Sequence, residues 1–358
     1  MAFSVVVCQI YYVVFKKQFK IFAGDTMKKL LFFLVFILLY QFAAFSQPKL
    51  FFSNDALAHT FSIVARDTVT GEMGVAVQSH WFSVGTVVSW GEAGVGVIAT
   101  QSFVNVSFGP RGLEMLKSGM TAQQVLDALI TSDEGRDVRQ LAIVDSKGNA
   151  AAYTGKNCIP AAGHIVGNNY SAQANLMLND KVWGAMSDAF ENSTGPLAER
   201  MLAALEAAQS VGGDIRGMQS AALLVFRGES TGKVWEDKLV DLRVDDSDQP
   251  LKELRRLLTV HRAYEHMNNG DLAVEKGDMI KAMEEYSAAE KMFPENEEMK
   301  YWHAVTLVNN KRLDESLPLF KEVFRTNKNY LLLTPRLVPI GLLLVTDEEL
   351  KIILNTVE

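Results

Sequence analysis

Short apolar runs and longer amphipathic segments follow one another between residues 60 and 226, and their order restricts the possible folds. Strand-like runs come first, helical patterns follow, and a strand-like run closes the region. This order favours stacked sheets covered by helices over alternating β–α–β units. The predicted strands are residues 60–65, 74–77, 84–90, 95–100, 140–144, 150–154 and 221–226.

Helix signals occupy the gaps between these strands. Thr121 and Gln124 form a capping box ahead of an apolar stripe, and Pro110 stands at a plausible first helical position. Apolar residues at helical spacing predict two further helices, around residues 183–190 and 197–205, the second ending at a glycine pair at 212–213. The glycines at 91–96 lie inside a predicted hairpin, so they are weak evidence for a nucleotide site.

The N-terminal segment has the features of an export signal. Lys28 and Lys29 precede an apolar run over residues 30–45, and small residues follow up to Ser46. A basic start, an apolar middle and a small-residue end are typical of a secretory signal peptide, so we expect a cut after Ser46. Residues 1–26 precede Met27, itself a natural start for the signal. The alternative is an uncleaved membrane anchor, for which the run is short.

Composition limits the classes of partner and cofactor. The net charge of −7 argues against nucleic acid as a partner, because phosphate binding needs an excess of Lys and Arg. The only cysteines are Cys8 and Cys158, so no disulfide framework is expected. Acidic residues at 245, 246 and 248 could bind a hard cation, but they more often mark a solvated linker. We predict no metal and no cofactor.

A 34-residue spacing in the C-terminal part resembles tetratricopeptide repeats. The pattern small–aromatic–small at 282, 286 and 289 recurs at 316, 320 and 323, and Gly270, Gly277 and Pro294 take positions of close contact and turn. Thr346 and Glu349 form a capping box that predicts a tail helix. The alternative is a plain helical hairpin with chance spacing. Such repeats usually bind peptides or other proteins, although here their role could be limited to packing on the first domain.

The segment from Asp241 to Pro250 is the predicted boundary between the two parts. We therefore divide the chain into a signal region at 1–46, a short leader at 47–59, an α+β domain at 60–248 and a helical domain at 249–358.

Seven ordered motifs of the α+β domain are similar to the bacterial "domain of unknown function 1028" family. They are HTFSIVARD at 59–67, GVAVQSH at 74–80, GVGVIATQ at 94–101, GPRGL at 109–113, SAQAN at 171–175, GGDIRGMQSAA at 212–222 and DLRV at 241–244. The resemblance implies a four-layer αββα N-terminal-nucleophile hydrolase-like fold, here followed by an all-α tetratricopeptide-like domain.

The resemblance also implies where chemistry would occur. In such folds the first residue of the mature domain attacks an amide carbonyl, and its own α-amine, with a pKa near ~8, serves as base. Thr60 matches that position, and Asn175 and Asp214 complete the predicted catalytic set. The predicted substrate-binding residues are Ser79, Gln101, Arg216 and Gln219, with Asn175 or Gln101 donating to an oxyanion and Arg216 binding a carboxylate.

Each of these residues has a plainer interpretation. Ser79 could simply end a strand, Asp214 and Arg216 could pair with each other, and Gln219 could satisfy a buried backbone group. A free amine at Thr60 also requires a second cut after His59, because removal of the signal leaves residues 47–59 attached.

The sequence therefore supports an exported amidohydrolase, periplasmic or extracellular, acting on a peptide or an acyl-amide small molecule. The alternative is a non-catalytic cell-envelope protein that binds peptide or wall fragments and recruits a partner through its helical repeats. A purely structural role in secreted assemblies is a third interpretation. A homo-oligomer is expected, although no feature of the sequence specifies its size.

Overall fold

The computed structural model describes residues 56–357. The predicted signal region and the cut after Ser46 lie outside this part of the chain. Among the helices of residues 56–357, none has the length and apolar character needed to cross a membrane.

Two antiparallel sheets form the first part of the described chain. Their strands are β1 Ala56–Ala58, β2 Thr60–Arg66, β3 Met73–Ser79, β4 Ser89–Glu92, β5 Gly96–Val104, β6 Arg139–Asp145, β7 Ala150–Thr154, β8 Gly163–Gly167, β9 Tyr170–Ala174, β10 Ser220–Phe226 and β11 Lys238–Val244. One sheet has six strands in the order β11-β10-β3-β2-β9-β8. The other has the order β1-β5-β6-β7, with β4 also paired to β5.

The two sheets lie face to face, with a helical layer on each outer side. Val64 and Val77 of the six-stranded sheet share a hydrophobic cluster with Ala99 and Val144 of the five-stranded sheet. Separate clusters join each sheet to its helices. Helices α1 (Phe108–Lys117) and α2 (Ala122–Thr131) cover the five-stranded sheet, and α3 (Val182–Asn192) and α4 (Leu197–Ser210) cover the six-stranded sheet. A short helix, α5 (Val234–Asp237), precedes β11.

Alternation along β2 places its side chains in different layers. Phe61 and Ile63 pack against the helices, whereas Val64 packs between the sheets. Because side chains alternate along a strand, Thr60 and Ser62 share the inter-sheet face with Val64. Polar groups on this face are therefore removed from water and need partners within the protein.

Most predicted elements of this domain are confirmed, including the capping box at Thr121 and Gln124. The strand predicted at residues 84–90 is wrong in its first half, where residues 84–86 form a 3-10 turn. Ser83 has a left-handed backbone with φ of 55°, and the Val84 amide donates to the hydroxyl of Ser220, a residue distant in sequence, at 3.1 Å. Pro110 also differs, since α1 begins two residues earlier, at Phe108.

A region of six helices follows the sheets. They are α6 Pro250–Glu275, α7 Met279–Met292, α8 Glu297–Asn309, α9 Leu313–Thr326, α10 Asn329–Leu337 and α11 Asp347–Leu354. The predicted capping box at Thr346 and Glu349 is present at the start of α11.

The first of these helices packs on the sheet domain. Leu251, Leu254 and Leu258 belong to the same hydrophobic cluster as Met201 of α4. An ion pair between Arg262 and Glu199, at 2.8 Å, runs alongside. At the predicted boundary, residues 241–244 are the last part of β11, and α6 begins at Pro250.

The helical region has features that match the predicted spacing. Helices α7 and α9 begin at residues 279 and 313, which differ by the predicted period of 34. Tyr286 and Phe320 are the buried aromatic residues of the two units. At Gly270 an added Cβ would lie 2.7 Å from the Tyr286 ring, which accounts for a glycine at this contact. Assignment to tetratricopeptide repeats stays a prediction.

Candidate functional site

Thr60 begins the central strand β2 and is completely buried. Its hydroxyl Oγ1 donates to the carbonyl of Ala58 at 2.5 Å. The preceding residues form β1, which pairs antiparallel with β5, so the end of the leader is built into the sheet. In this form of the chain, the peptide bond between His59 and Thr60 is intact and inside the protein.

The carbonyl oxygen of His59, immediately before Thr60, accepts two side-chain hydrogen bonds. Ser79 Oγ donates to it at 2.6 Å, and Arg216 Nη2 donates at 2.7 Å. Ser79 reaches this position because it is the register partner of Thr60 on β3. One hydroxyl and one guanidinium therefore converge on the carbonyl of the residue that precedes Thr60.

Arg216 is oriented by Asp214. Its Nε and Nη2 donate to the two carboxylate oxygens at 3.0 and 2.7 Å. The backbone amides of His80 and Arg216 also donate to this carboxylate, at 3.2 and 2.9 Å, and Asp214 is buried. A two-point contact fixes the plane of the guanidinium, so Arg216 has a defined direction toward the His59 carbonyl. The pairing of these two residues, an alternative interpretation from the sequence, is present.

The carbonyl of Thr60 itself is held by amides. It accepts from the Asn175 backbone N–H at 3.1 Å, from Gln101 Nε2 at 3.3 Å and from Asn175 Nδ2 at 3.5 Å. Gln101 and Asn175 thus contact the far side of Thr60 rather than the carbonyl of His59. Their observed contacts fit positioning of the Thr60 backbone.

Gln140 joins these two amides and was not a sequence candidate. Its Oε1 accepts from Gln101 Nε2 at 2.7 Å and from Asn175 Nδ2 at 2.9 Å. The network continues from Gln101 through Ser62 at 2.6 Å to Gln173 at 2.7 Å, and every one of these side chains is buried. The available signal was polar residues within otherwise apolar strands, which indicates buried hydrogen bonding.

His59 is buried and is held by one hydrogen bond and one ring contact. Its Nδ1 donates to Asn175 Oδ1 at 2.8 Å, since the amide oxygen can only accept. The ring meets Phe103 edge to face, with centroids 5.2 Å apart. Burial lowers the pKa of His59, and the positive charge of Arg216 acts in the same direction.

Gln219 lies apart from the other predicted residues. Its side-chain amide donates to Asp246 Oδ1 at 3.2 Å, and its backbone N–H donates to the carbonyl of Ser79 at 3.1 Å. Its side-chain bond is thus to an exposed aspartate of the segment before α6 rather than to the Thr60 cluster. Five of the other six sequence candidates lie around Thr60, and Gln219 contacts this cluster only through its backbone N–H.

Backbone strain flanks the cluster. Ser102 on β5, opposite Ala58, has φ of 73°, and Leu176, which follows Asn175, has φ of 59°. Left-handed backbone at non-glycine residues is uncommon and is concentrated at functional sites.

The one cysteine of the described residues, Cys158, is buried, and its Sγ donates to the Arg139 carbonyl at 3.3 Å. Burial raises the pKa of this thiol. Within residues 56–357, no three His, Cys, Asp or Glu side chains group as metal ligands would.

These observations define a protein of two stacked antiparallel sheets with a buried threonine at the start of a central strand. The chain belongs to the family of unknown function DUF1028, whose model matches residues 60–254. A crystal structure of a DUF1028 protein from Silicibacter pomeroyi is similar at 33% identity and a TM-score of 0.52, covering 60% of this chain and 89% of that one. Anbu (ancestral beta-subunit) from Yersinia bercovieri shows 13% identity and a TM-score of 0.27, covering 55% and 92% respectively. No curated protein matches the chain.

Proposed function

We propose that this protein is an exported amidohydrolase that cleaves a peptide or acyl-amide bond with Thr60 as an N-terminal nucleophile. The observation that carries the proposal is the pair of donors, Ser79 and Arg216, on the carbonyl of His59, the residue before Thr60. Donors fixed at such a carbonyl stabilise the oxyanion of a tetrahedral intermediate, commonly the largest electrostatic contribution to acyl transfer. The resemblance to N-terminal-nucleophile hydrolases and the helix–sheet–sheet–helix layering agree with it.

The nucleophile first needs a free amine, and the same geometry supports cleavage within the chain. The Thr60 hydroxyl oxygen adds to the carbonyl carbon of His59, and negative charge develops on the oxygen held by Ser79 and Arg216. The bond from this carbon to the Thr60 nitrogen then breaks, and the nitrogen takes the hydroxyl proton. Water hydrolyses the resulting ester, which leaves a carboxylate on His59 and a free amine on Thr60.

The mature site would repeat this chemistry on a substrate. The α-amine of Thr60 accepts the hydroxyl proton, since its pKa lies near ~8. The substrate carbonyl takes the place of the His59 carbonyl, and the Thr60 oxygen forms an ester with the substrate's acyl group. The substrate's own amine leaves, taking the proton from the Thr60 α-amine. Water then releases the acid. Gln101 and Asn175 hold the Thr60 backbone during both steps, and Asp214 holds Arg216.

The other parts of the chain would serve export and partner binding. Residues 1–46 would direct export, and the C-terminal helices would recruit a protein partner. The substrate of the α+β domain is a peptide or an acyl-amide small molecule, and the protein would assemble into a homo-oligomer.

A second candidate function rests on the burial of Thr60. With the leader in place, its hydroxyl donates to Ala58 and its side chain is inaccessible. A chain that is never cut after His59 would be a non-catalytic binding protein of the cell envelope.

Intact mass of the purified protein separates the two functions. We expect a chain beginning at Thr60 in the wild type and an uncut His59–Thr60 bond in Thr60→Ala. Thr68→Ala, at an exposed turn residue, is the matched control and should be cut normally. The mature protein is then assayed on acyl-amino-acid, peptide and muropeptide amides. An uncut wild-type chain, or equal turnover by the wild type and Thr60→Ala, would contradict the proposed enzyme function.

A further inference from the structure

We propose that the path of residues 56–59 is the acyl-side substrate groove of the mature site. The substrate is then an extended peptide with a small residue two positions before the cleaved bond and histidine, or a similar planar donor, directly before it. This inference rests on the proposed function, because it assumes that the substrate carbonyl replaces that of His59.

The position of the reacting carbonyl fixes the direction of the acyl chain. Ser79 and Arg216 hold the carbonyl of His59 beside Thr60, so a substrate held by the same donors must run along the path of β1. That path is a strand, with Ala58 opposite Ser102 and Ala56 opposite Val104 in antiparallel register. Once the leader leaves, this edge of β5 has unpaired backbone groups, and an extended peptide can add to it as a strand.

The second acyl-side position accepts only a small residue. Ala58 is completely buried in the inter-sheet cluster, together with Val77, Val88 and Val104. A larger side chain would have to displace packed residues of both sheets, and overpacking of this kind weakens binding.

The first acyl-side position recognises a ring that donates a hydrogen bond. His59 is only 4% exposed, lies edge to face against Phe103 and donates from Nδ1 to Asn175 Oδ1. An alanine in this position would leave the buried Asn175 oxygen without its ring partner, and such a loss weakens binding. A positively charged side chain is disfavoured by burial and by the nearby guanidinium of Arg216.

The test measures binding apart from catalysis. A Thr60→Ala protein is produced behind a removable tag, so that its chain starts at residue 60. Fluorescein-labelled peptide SNDALAH, the sequence of residues 53–59, is titrated with it by fluorescence anisotropy. We expect saturable binding. Peptides carrying Ala58→Leu or His59→Ala should bind about tenfold more weakly or worse. The uncut Thr60→Ala chain, whose groove holds its own leader, should not bind.

Equal binding of the three peptides, or binding of none, overturns the inference. If the shortened chain is unstable, SNDALAH should raise its Tm and the Ala58→Leu peptide should not, because a ligand of the native state stabilises it. SNDALAH joined to aminomethylcoumarin, assayed with the chain that starts at Thr60, separates this inference from the proposed function. Binding without turnover would contradict the role of Thr60 as nucleophile but support the groove. Turnover of other amides without peptide binding would contradict the groove but support the role of Thr60.

Discussion

Arg216 donates a 2.7 Å hydrogen bond to the carbonyl of His59, a residue 157 positions earlier in the chain. The contact joins the loop before β10 to the peptide bond that precedes Thr60. It gives the candidate site its positive charge, and Asp214 fixes its direction.

Removing either donor should slow cleavage of the His59–Thr60 bond. Ser79→Ala and Arg216→Ala each delete one hydrogen bond to the carbonyl oxygen, so we expect a loss of about 10²–10³-fold in rate. The rate is measured by intact mass during a time course after refolding. Gln219→Ala is the control, because its side chain contacts Asp246 instead, and it should cleave at the wild-type rate. Wild-type rates in both donor variants would contradict the oxyanion role.

Asp214→Asn should weaken both the fold and the orientation of Arg216. The buried carboxylate accepts four hydrogen bonds, two of them from the guanidinium. Hydrogen bonds to charged groups contribute about 1.5–3 kcal/mol each, so a drop in Tm of several degrees is expected. Thermal unfolding followed by circular dichroism measures it. Asp246→Asn, at an exposed position, should leave Tm within about one degree. An unchanged Tm in Asp214→Asn would argue against a fixed guanidinium.

Stability should fall as the pH drops below about 6.5. Burial lowers the pKa of His59 beneath its ordinary value of 6.5, so the folded protein keeps the ring neutral while the unfolded chain takes up a proton. The stabilisation is therefore complete above pH 6.5 and is lost as the pH falls through the lowered pKa. His164 is shifted in the same direction by burial. In uncut Thr60→Ala protein, adding His59→Gln should reduce the slope of Tm between pH 7.5 and 5. An unchanged slope would assign the effect to other groups.

Gly270→Ala should destabilise the helical region. An added Cβ would lie 2.7 Å from the Tyr286 ring, and overpacking at a buried contact costs about 1–3 kcal/mol. Gly184→Ala is the matched helical control, because nothing lies within 4 Å of its added Cβ. That change should be neutral or stabilising by about 0.5–1 kcal/mol, as alanine favours helix over glycine. Urea unfolding of the two variants compares them, and equal midpoints would contradict the close contact at Gly270.

Local patterns explain which elements were predictable. Strands β2, β3, β6 and β7 follow from apolar runs between turn residues, and two helix starts follow from capping boxes. Strands β8 and β9 are not apparent in the sequence, because β8 contains two glycines and a histidine and β9 has small and polar residues in place of an apolar run. The turn at residues 84–86 was missed because its cause is the hydroxyl of Ser220, which is distant in sequence.

The amide network shows the same limit at the candidate site. Gln101 and Asn175 were recognised through motifs, whereas Gln140 and Gln173 had no motif to mark them. Their hydrogen-bond partners lie on other strands. Which residues of two strands meet is set by the register of the sheet, and register depends on long-range contacts.

The sequence by itself determined that Thr60 starts a buried strand, that the chain belongs to its family, and that helices occupy the C-terminal part. These properties reside in short patterns and ordered motifs. Only the tertiary structure decided that Ser79 and Arg216 face the carbonyl of His59, that Gln101 and Asn175 hold the carbonyl of Thr60, and that Gln219 points elsewhere. The reason is physical: these contacts join residues from different strands and loops, and their geometry is set by strand register and sheet stacking rather than by neighbours in sequence.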